Sequence, residues 1–216
     1  MKCQNYLEKQ KTAGKESQQK KRKRFLIFVR AIKTSSKTER LAVKNAIEIA
    51  KSYGFVDVNE KDSLKPGDKV YLLNREKTAY FAIIGDDDIT TGINYVVAHV
   101  DSPRIDIKAH PLYEDANMAL LKTHYYGSIV KHQWTALPLS LIGIVYKKDG
   151  TSVEINIGED PADPVFYISD IPPHLAKGSK LVEGENLNII IGSMTADSEK
   201  DKFKTAVMEI LNENIF

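Results

Sequence analysis

Cysteine is almost absent from this chain: Cys3 is the only one in 216 residues. A single thiol excludes an internal disulfide and any metal site assembled from cysteines. Also lacking is a run of about 18 apolar residues, the length a helix needs to cross a bilayer, so no membrane partner is expected. The opening residues, MKCQNYLEKQKTAGKES, hold no apolar core of the kind that directs secretion. These absences lead to the expectation of a reducing, cytoplasmic location. Net charge is small, with 31 Lys and Arg against 29 Asp and Glu, but it is unevenly spread. The first 40 residues carry thirteen Lys or Arg and three Glu, which leaves the remainder acidic. The KKRKR run at Lys20–Arg24 reads as a solvated basic tail or helix face. No interleaved aromatics and no binding fold accompany it, so no nucleic-acid partner is expected.

What is present divides the chain into blocks. Residues 1–24 form a polar, lysine-rich tail without convincing periodicity, expected as loose helix or disorder. RFLIFVRAI follows, a short apolar run suited to docking as a helix. Ser36 and Glu39 have the spacing of a capping box, and Val43, Ala46, Ile47 and Ala50 then recur at helical spacing up to Gly54. KVYLLN and TAYFAII read as two strands across the turn NREK. INYVVAHV is a nearly continuous apolar run of strand length, the pattern of a strand covered on both faces. Beyond DSPR the texture becomes alternating and aromatic-rich. IDIKAH, TSVEINIG, PVFYISDI and LNIIIG read as short strands of an antiparallel β unit. A last helix is expected to begin at Ser198, with Phe203, Val207, Ile210 and Leu211 on one face.

The apolar run INYVVAHV stops at His99, and Asp101 follows two residues later. Alternate residues of a strand face one way, so the two side chains are expected together at the strand's C-terminal end. Open α/β sheets place their ligand sites at such ends. A neutral imidazole is a common metal ligand, and its second nitrogen usually donates to a carboxylate that fixes the tautomer. Alone, such a pair is more often an ordinary surface or strand-end pair than a metal site.

The phrases around it are more specific. AHVDSPRIDIKAHPLYED, LLKTHYYGSIVKHQW, DGTSVEINIGEDPADPVFYISDIPPHLAK and GENLNIIIGS occur in that order. With KTER at 37–40 and LKPGDKVYLLNR at 64–75, they resemble the aspartyl aminopeptidase family of zinc metallopeptidases, in particular its bacterial branch. The likeness runs from about residue 30 onward. It implies a zinc-dependent exopeptidase that removes N-terminal, typically acidic, residues from peptide substrates. It implies an α/β fold: an α/β metallopeptidase catalytic domain interrupted by a β-rich dimerisation domain, assembled as a homo-oligomer. On that pattern 25–105 would be the first part of the catalytic domain and 106–196 the insert. Residues 197–216 would be a helix returning to the catalytic domain. His99 matches the first metal ligand and Asp101 the carboxylate that steers it. His174 matches a histidine assigned to the active site, as a metal ligand or as a substrate contact reaching the partner subunit. The implied reaction is hydrolysis by a water bridging two metals, with a glutamate as base.

The family's bridging aspartate, glutamate pair, further carboxylate and last histidine would lie beyond the insert, and no adjacent Glu-Glu pair occurs here. The expectation is therefore the N-terminal part of a longer enzyme, inactive alone and weak in metal binding. Two other readings stand beside it: a non-catalytic interaction module acting through the β unit, and a binding protein acting through the basic tail. Trp134, Tyr125 and Tyr126 are read either as interface aromatics or as β-unit core. His110, His124 and His132 are read as ordinary strand or loop histidines.

Overall fold

The structure, a computed structural model, describes residues 2–170, 174, 182–197 and 200–215, with side chains from residue 18 to residue 209 within those ranges. It divides into two units, Met1–Ser102 and Pro103–Phe216.

The first unit opens with a 34-residue helix, α1 (Lys2–Ser35), so the polar tail and RFLIFVRAI form one continuous element. Phe25, Leu26, Ile27 and Phe28 are exposed on it. The chain then reverses into α2 (Glu39–Ser52). Asn45 fixes this corner: its amide donates to the Ser35 carbonyl at 2.9 Å and to the Ser36 hydroxyl at 2.9 Å. Ser36 is thereby engaged, and the N-cap of α2 is Thr38, whose hydroxyl accepts from the Leu41 N–H at 3.3 Å. The capping box expected at Ser36 is thus replaced by a cap two residues later. The C-terminus closes as a Schellman motif, with the Gly54 N–H on the Lys51 carbonyl and the Phe55 N–H on the Ala50 carbonyl. Gly54 has φ 84°, which an L side chain resists. That turn delivers Phe55 to the apolar face of α2.

A three-stranded sheet follows. β1 (Val56–Asp57) pairs parallel with β2 (Lys69–Asn74), and β2 pairs antiparallel with β3 (Thr78–Ile83). Three residues connect β2 and β3; Arg75 and Glu76, at the centre of the turn closed by the Lys77 N–H on the Asn74 carbonyl, both have positive φ, the twist that matches a hairpin. Arg40 of α2 reaches this turn and pairs with the Glu76 carboxylate. Val43 and Ile47 of α2 pack on Tyr71, with Phe55 and Ala79 alongside. The hairpin is only partly covered: Leu72 and Tyr80 on the side away from Tyr71, and Phe81 and Ile83 on the same side as Tyr71, are exposed.

INYVVAHV is not a strand here. Residues 93–103 have no regular secondary structure, and no neighbour among the described residues pairs with them. The local pattern suits a two-face-covered strand, but the partners that would satisfy its backbone and cover its side chains are missing from the described sheet. A strand is a relation between segments, so the isolated run stays open.

The second unit contains β4 (Arg104–Asp115), β5 (Met118–Tyr126), β6 (Leu141–Tyr146), β7 (Ser152–Ile157) and β8 (Ile189–Gly192). One sheet has the order β4-β5-β8, all antiparallel, and β6-β7 is a separate hairpin. The β4–β5 ladder shifts register between Ile107 and Leu112, a stretch that includes Pro111. Proline has no N–H to give the ladder, so an irregularity there is the expected accommodation. PVFYISDI, expected as a strand, contributes only two isolated bridges, Leu139 with Phe166 and Tyr167 with Ile190. Its last residue, Ile171, lies outside the described residues.

The core of this unit is Leu121, Ile168, Leu187 and Ile189, with Ile105, Leu112 and Tyr125 among the residues packed against it. Thr123 is fully buried, and its hydroxyl donates to the Leu187 carbonyl. Gly184 sits against Tyr125 so closely that a Cβ there would come within 2.2 Å of the ring. Tyr125 is therefore a core residue, whereas Tyr126 is exposed beneath the Arg104 guanidinium, 4.0 Å from its ring centre. Trp134 is half-buried.

The chain closes with α3 (Lys202–Ile215). Ser198, expected to open this helix, lies outside the described residues. α3 packs on β4, β5 and β8. Glu114 of β4 secures it: one carboxylate oxygen accepts the N–H of Phe203 at 3.0 Å and of Lys204 at 3.3 Å. These are first-turn donors with no partner inside the helix, and a carboxylate also suits the positive end of the helix dipole. Glu114→Gln keeps the shape and removes the charge. It is expected to lower stability by about 1 kcal/mol, read as a lower denaturant midpoint at unchanged slope.

Candidate functional site

His99 and Asp101 lie at the end of the unpaired run, just before Pro103 turns the chain into the second unit. The i, i+2 spacing brings the two side chains together, with His99 Nδ1 2.8 Å from Asp101 Oδ1. The imidazole is 87% exposed and the carboxylate 40%. With the Nδ1 hydrogen donated to the carboxylate, the lone pair is on Nε2. The pair thus presents one oriented nitrogen ligand to solvent. His174 lies in an exposed turn of the second unit. The other residues of PPHLAK, 172, 173 and 175–177, lie outside the described residues.

A structural zinc site takes four protein ligands and a catalytic one typically three plus water. Among the described residues, no group of three or more His, Cys, Asp or Glu side chains is placed to hold a metal. The geometry accordingly supplies one ligand and its orienting carboxylate, without the remainder of a metal centre.

A second charged cluster escaped the sequence reading. Glu185 receives the Lys108 ammonium, and His124 Nδ1 lies 3.2 Å from its other oxygen. The His124 ring stacks on Tyr125 at 5.0 Å. These groups lie 77 and 61 positions apart in sequence, so no local spacing announces them. The cluster ties β4 and β5 to the turn that carries Gly184, and its role is structural. Lys108, then His124, holds the Glu185 carboxyl below its ordinary value of 4.5. In the first unit the Lys61 ammonium, then the Lys65 N–H, does the same to Asp68, whose ordinary value is 3.8. A carboxyl depressed on folding adds stability in full above its unfolded value. That stability is lost as pH falls through the folded value. Melting temperatures measured from neutral pH downward are therefore expected to fall once pH drops below 4.5 for the second unit and below 3.8 for the first.

Residues 32–215 match the family model described as aminopeptidase I zinc metalloprotease (M18). The chain belongs to the M18 family. A probable M18 family aminopeptidase 1 of Borrelia garinii is 48% identical over 185 residues, covering 82% of this chain and 40% of that protein. A crystal structure of an M18 aminopeptidase from Thermotoga maritima superposes with a TM-score of 0.84 at 42% identity, covering 88% of this chain and 43% of that one. More distantly, an aspartyl aminopeptidase of Aspergillus oryzae is 28% identical over 194 residues, covering 86% of this chain and 38% of that protein. The chain thus spans about two fifths of the length of the curated M18 relatives it matches. The M18 model begins at residue 32, which leaves most of α1, with its KKRKR segment, outside the match.

Proposed function

We propose that this chain provides one metal ligand and a β-rich dimerisation unit to a zinc-dependent aminopeptidase. The enzyme would hydrolyse N-terminal, acidic residues from peptides in the cytoplasm. The observation that carries this reading is the contact of His99 Nδ1 with Asp101 Oδ1 beside an exposed ring, within a chain of the M18 family. Zinc, when bound, polarises the scissile carbonyl and lowers the pKa of its water to about 7. His99 would hold the metal through Nε2. Asp101 would keep the proton on Nδ1 and stabilise the ring's orientation. His174, carried by the second unit, would touch substrate, with direct ligation as the other role open to it. Residues 25–105 would form the first part of the α/β catalytic domain, and 106–196 an inserted β-rich domain through which a homo-oligomer assembles.

One imidazole does not hold a catalytic zinc, so the 216-residue chain alone is expected to bind zinc weakly and to leave an aspartyl or glutamyl chromogenic substrate uncut. Zinc titration followed by the His99 ring resonances in NMR tests the assignment. Zinc should perturb His99 before His110, His124 and His132, and His99→Ala should remove the response. Zinc perturbing the other histidines while His99 stays unmoved would overturn the assignment. The chain would then be better read as a non-catalytic interaction module.

A further inference from the structure

We propose that the second half of α1 binds the surface of an anionic lipid bilayer, with the Lys20–Arg24 turn on the headgroup phosphates and the Phe25–Phe28 turn sunk to the acyl boundary. The inference stands apart from the zinc aminopeptidase reading, because both turns precede residue 32, where the M18 match begins.

The five basic residues Lys20–Arg24 are consecutive, helical and all exposed. Phe25, Leu26, Ile27 and Phe28 follow at 63%, 57%, 60% and 48% exposure. Beyond them α1 gains cover: Val29 and Ile32 are half-buried, and the helix meets α2. Residues 17–38 hold eight Lys or Arg and no Asp or Glu. Successive residues of a helix point about 100° apart, so each of the two turns rings the helix instead of occupying one face.

The register couples the two rings. Each apolar residue of the second stands four after a basic residue of the first, as Phe25 does after Lys21 and Ile27 after Lys23. Side chains at that spacing are neighbours, so every side of α1 at this level presents a cation about 5–6 Å from an apolar side chain. A bilayer surface offers the same two environments side by side, phosphates above and acyl chains below. Lys and Arg can lay their stems along the apolar turn while their heads stay among the phosphates. No helix among the described residues is long and apolar enough to cross a membrane. That bears on crossing, which was the ground for expecting no membrane partner. Lying in the interface asks instead for some buried apolar area and attraction to anionic lipid.

Other occupants use only part of this arrangement. Nucleic acid would take the cations and leave four apolar side chains in water. A second copy would bring its own eight cations against these eight. A protein groove takes one face of a helix, whereas here every face carries the same pair. A fluid bilayer accepts any of them.

The test uses the full 216-residue chain and flotation with vesicles of phosphatidylcholine, with and without phosphatidylserine. The chain should float with the phosphatidylserine vesicles, less so as salt is raised, and bind phosphatidylcholine alone more weakly by at least about 10-fold. Lys21→Gln with Lys23→Gln should weaken binding about 25-fold, about fivefold for each cation. Leu26→Gln with Ile27→Gln should weaken it by at least about 10-fold. Neither pair belongs to the buried cluster of either unit, so circular dichroism should be unchanged. With Trp134→Phe and Leu26→Trp combined, tryptophan emission should be quenched by brominated acyl chains. Lipid and salt dependence are read on the unaltered chain, so the test stands even where a variant misfolds. Absence of flotation, or equal binding with and without phosphatidylserine, overturns the proposal. Binding untouched by both double variants overturns it by placing the contact on another exposed apolar surface. Binding without quenching reduces the contact to adsorption by charge and overturns the insertion. Retention on a DNA duplex without flotation overturns it in favour of nucleic acid.

Discussion

Replacing Leu187 by alanine is expected to destabilise the second unit by about 2–5 kcal/mol, the range for emptying a buried leucine site. Leu187 is fully buried, and it joins Leu121 and Ile189, which come from two paired strands, to Ile168 from the segment that bridges to Leu139 and Ile190. The site has little freedom to collapse. Its own carbonyl is held by the Thr123 hydroxyl, and three residues before it Gly184 is pressed against Tyr125. A cavity that cannot relax keeps its full cost, so the upper half of the range is expected. Thr123→Val provides the comparison. It preserves the volume but leaves the Leu187 carbonyl without its buried donor, at a cost of about 1–3 kcal/mol. Trp134, the only tryptophan, lies in the second unit, so its fluorescence in a urea titration reports that unit alone. A loss below about 1 kcal/mol for Leu187→Ala would mean that this cluster is not the unit's core. α2 with its hairpin should remain folded through the transition, because its packing rests on Val43, Ile47 and Tyr71.

The elements that could be read from sequence are those whose causes are local. The spacing of Val43, Ala46, Ile47 and Ala50 defines the buried face of α2, and Gly54 marks its end because only glycine takes φ 84° without penalty. KVYLLN and TAYFAII carry their own hairpin, since the turn and both strands are contiguous. The cap was misread by two residues because Ser36 and Thr38 are both competent. The choice is made by Asn45, seven residues beyond Thr38, which engages Ser36.

Elements that depend on distant partners were legible only as patterns. INYVVAHV has the composition of a covered strand, but nothing in its eight residues tells whether the cover is present. PVFYISDI has the composition of a strand and forms two bridges, because its neighbours Leu139 and Ile190 each meet it at a single residue. The Glu185 cluster was invisible for the same reason. Asp101 beside His99 was legible because two residues suffice to place one side chain against the other. The rest of a metal centre is a long-range assembly, and the described residues contain no such group.

That difference makes Asp101 the most informative position to change. Asp101→Asn is expected to lower the zinc affinity of the chain about 10–100-fold, the usual cost of losing a carboxylate that orients a ligating histidine. Asparagine has nearly the same size and loses the charge. It also has two ends: the carbonyl oxygen accepts the Nδ1 hydrogen more weakly, while the amide donates to Nδ1 and moves the ring hydrogen to Nε2. The second arrangement occupies the ligating lone pair. The carboxylate prevents this by being an acceptor only. Zinc titration followed by the His99 ring resonances measures the effect. His99→Ala removes the ligand itself and should exceed the loss seen with asparagine. Equal zinc affinity in Asp101→Asn and the unaltered chain would show that the 2.8 Å contact is only a strand-end pair.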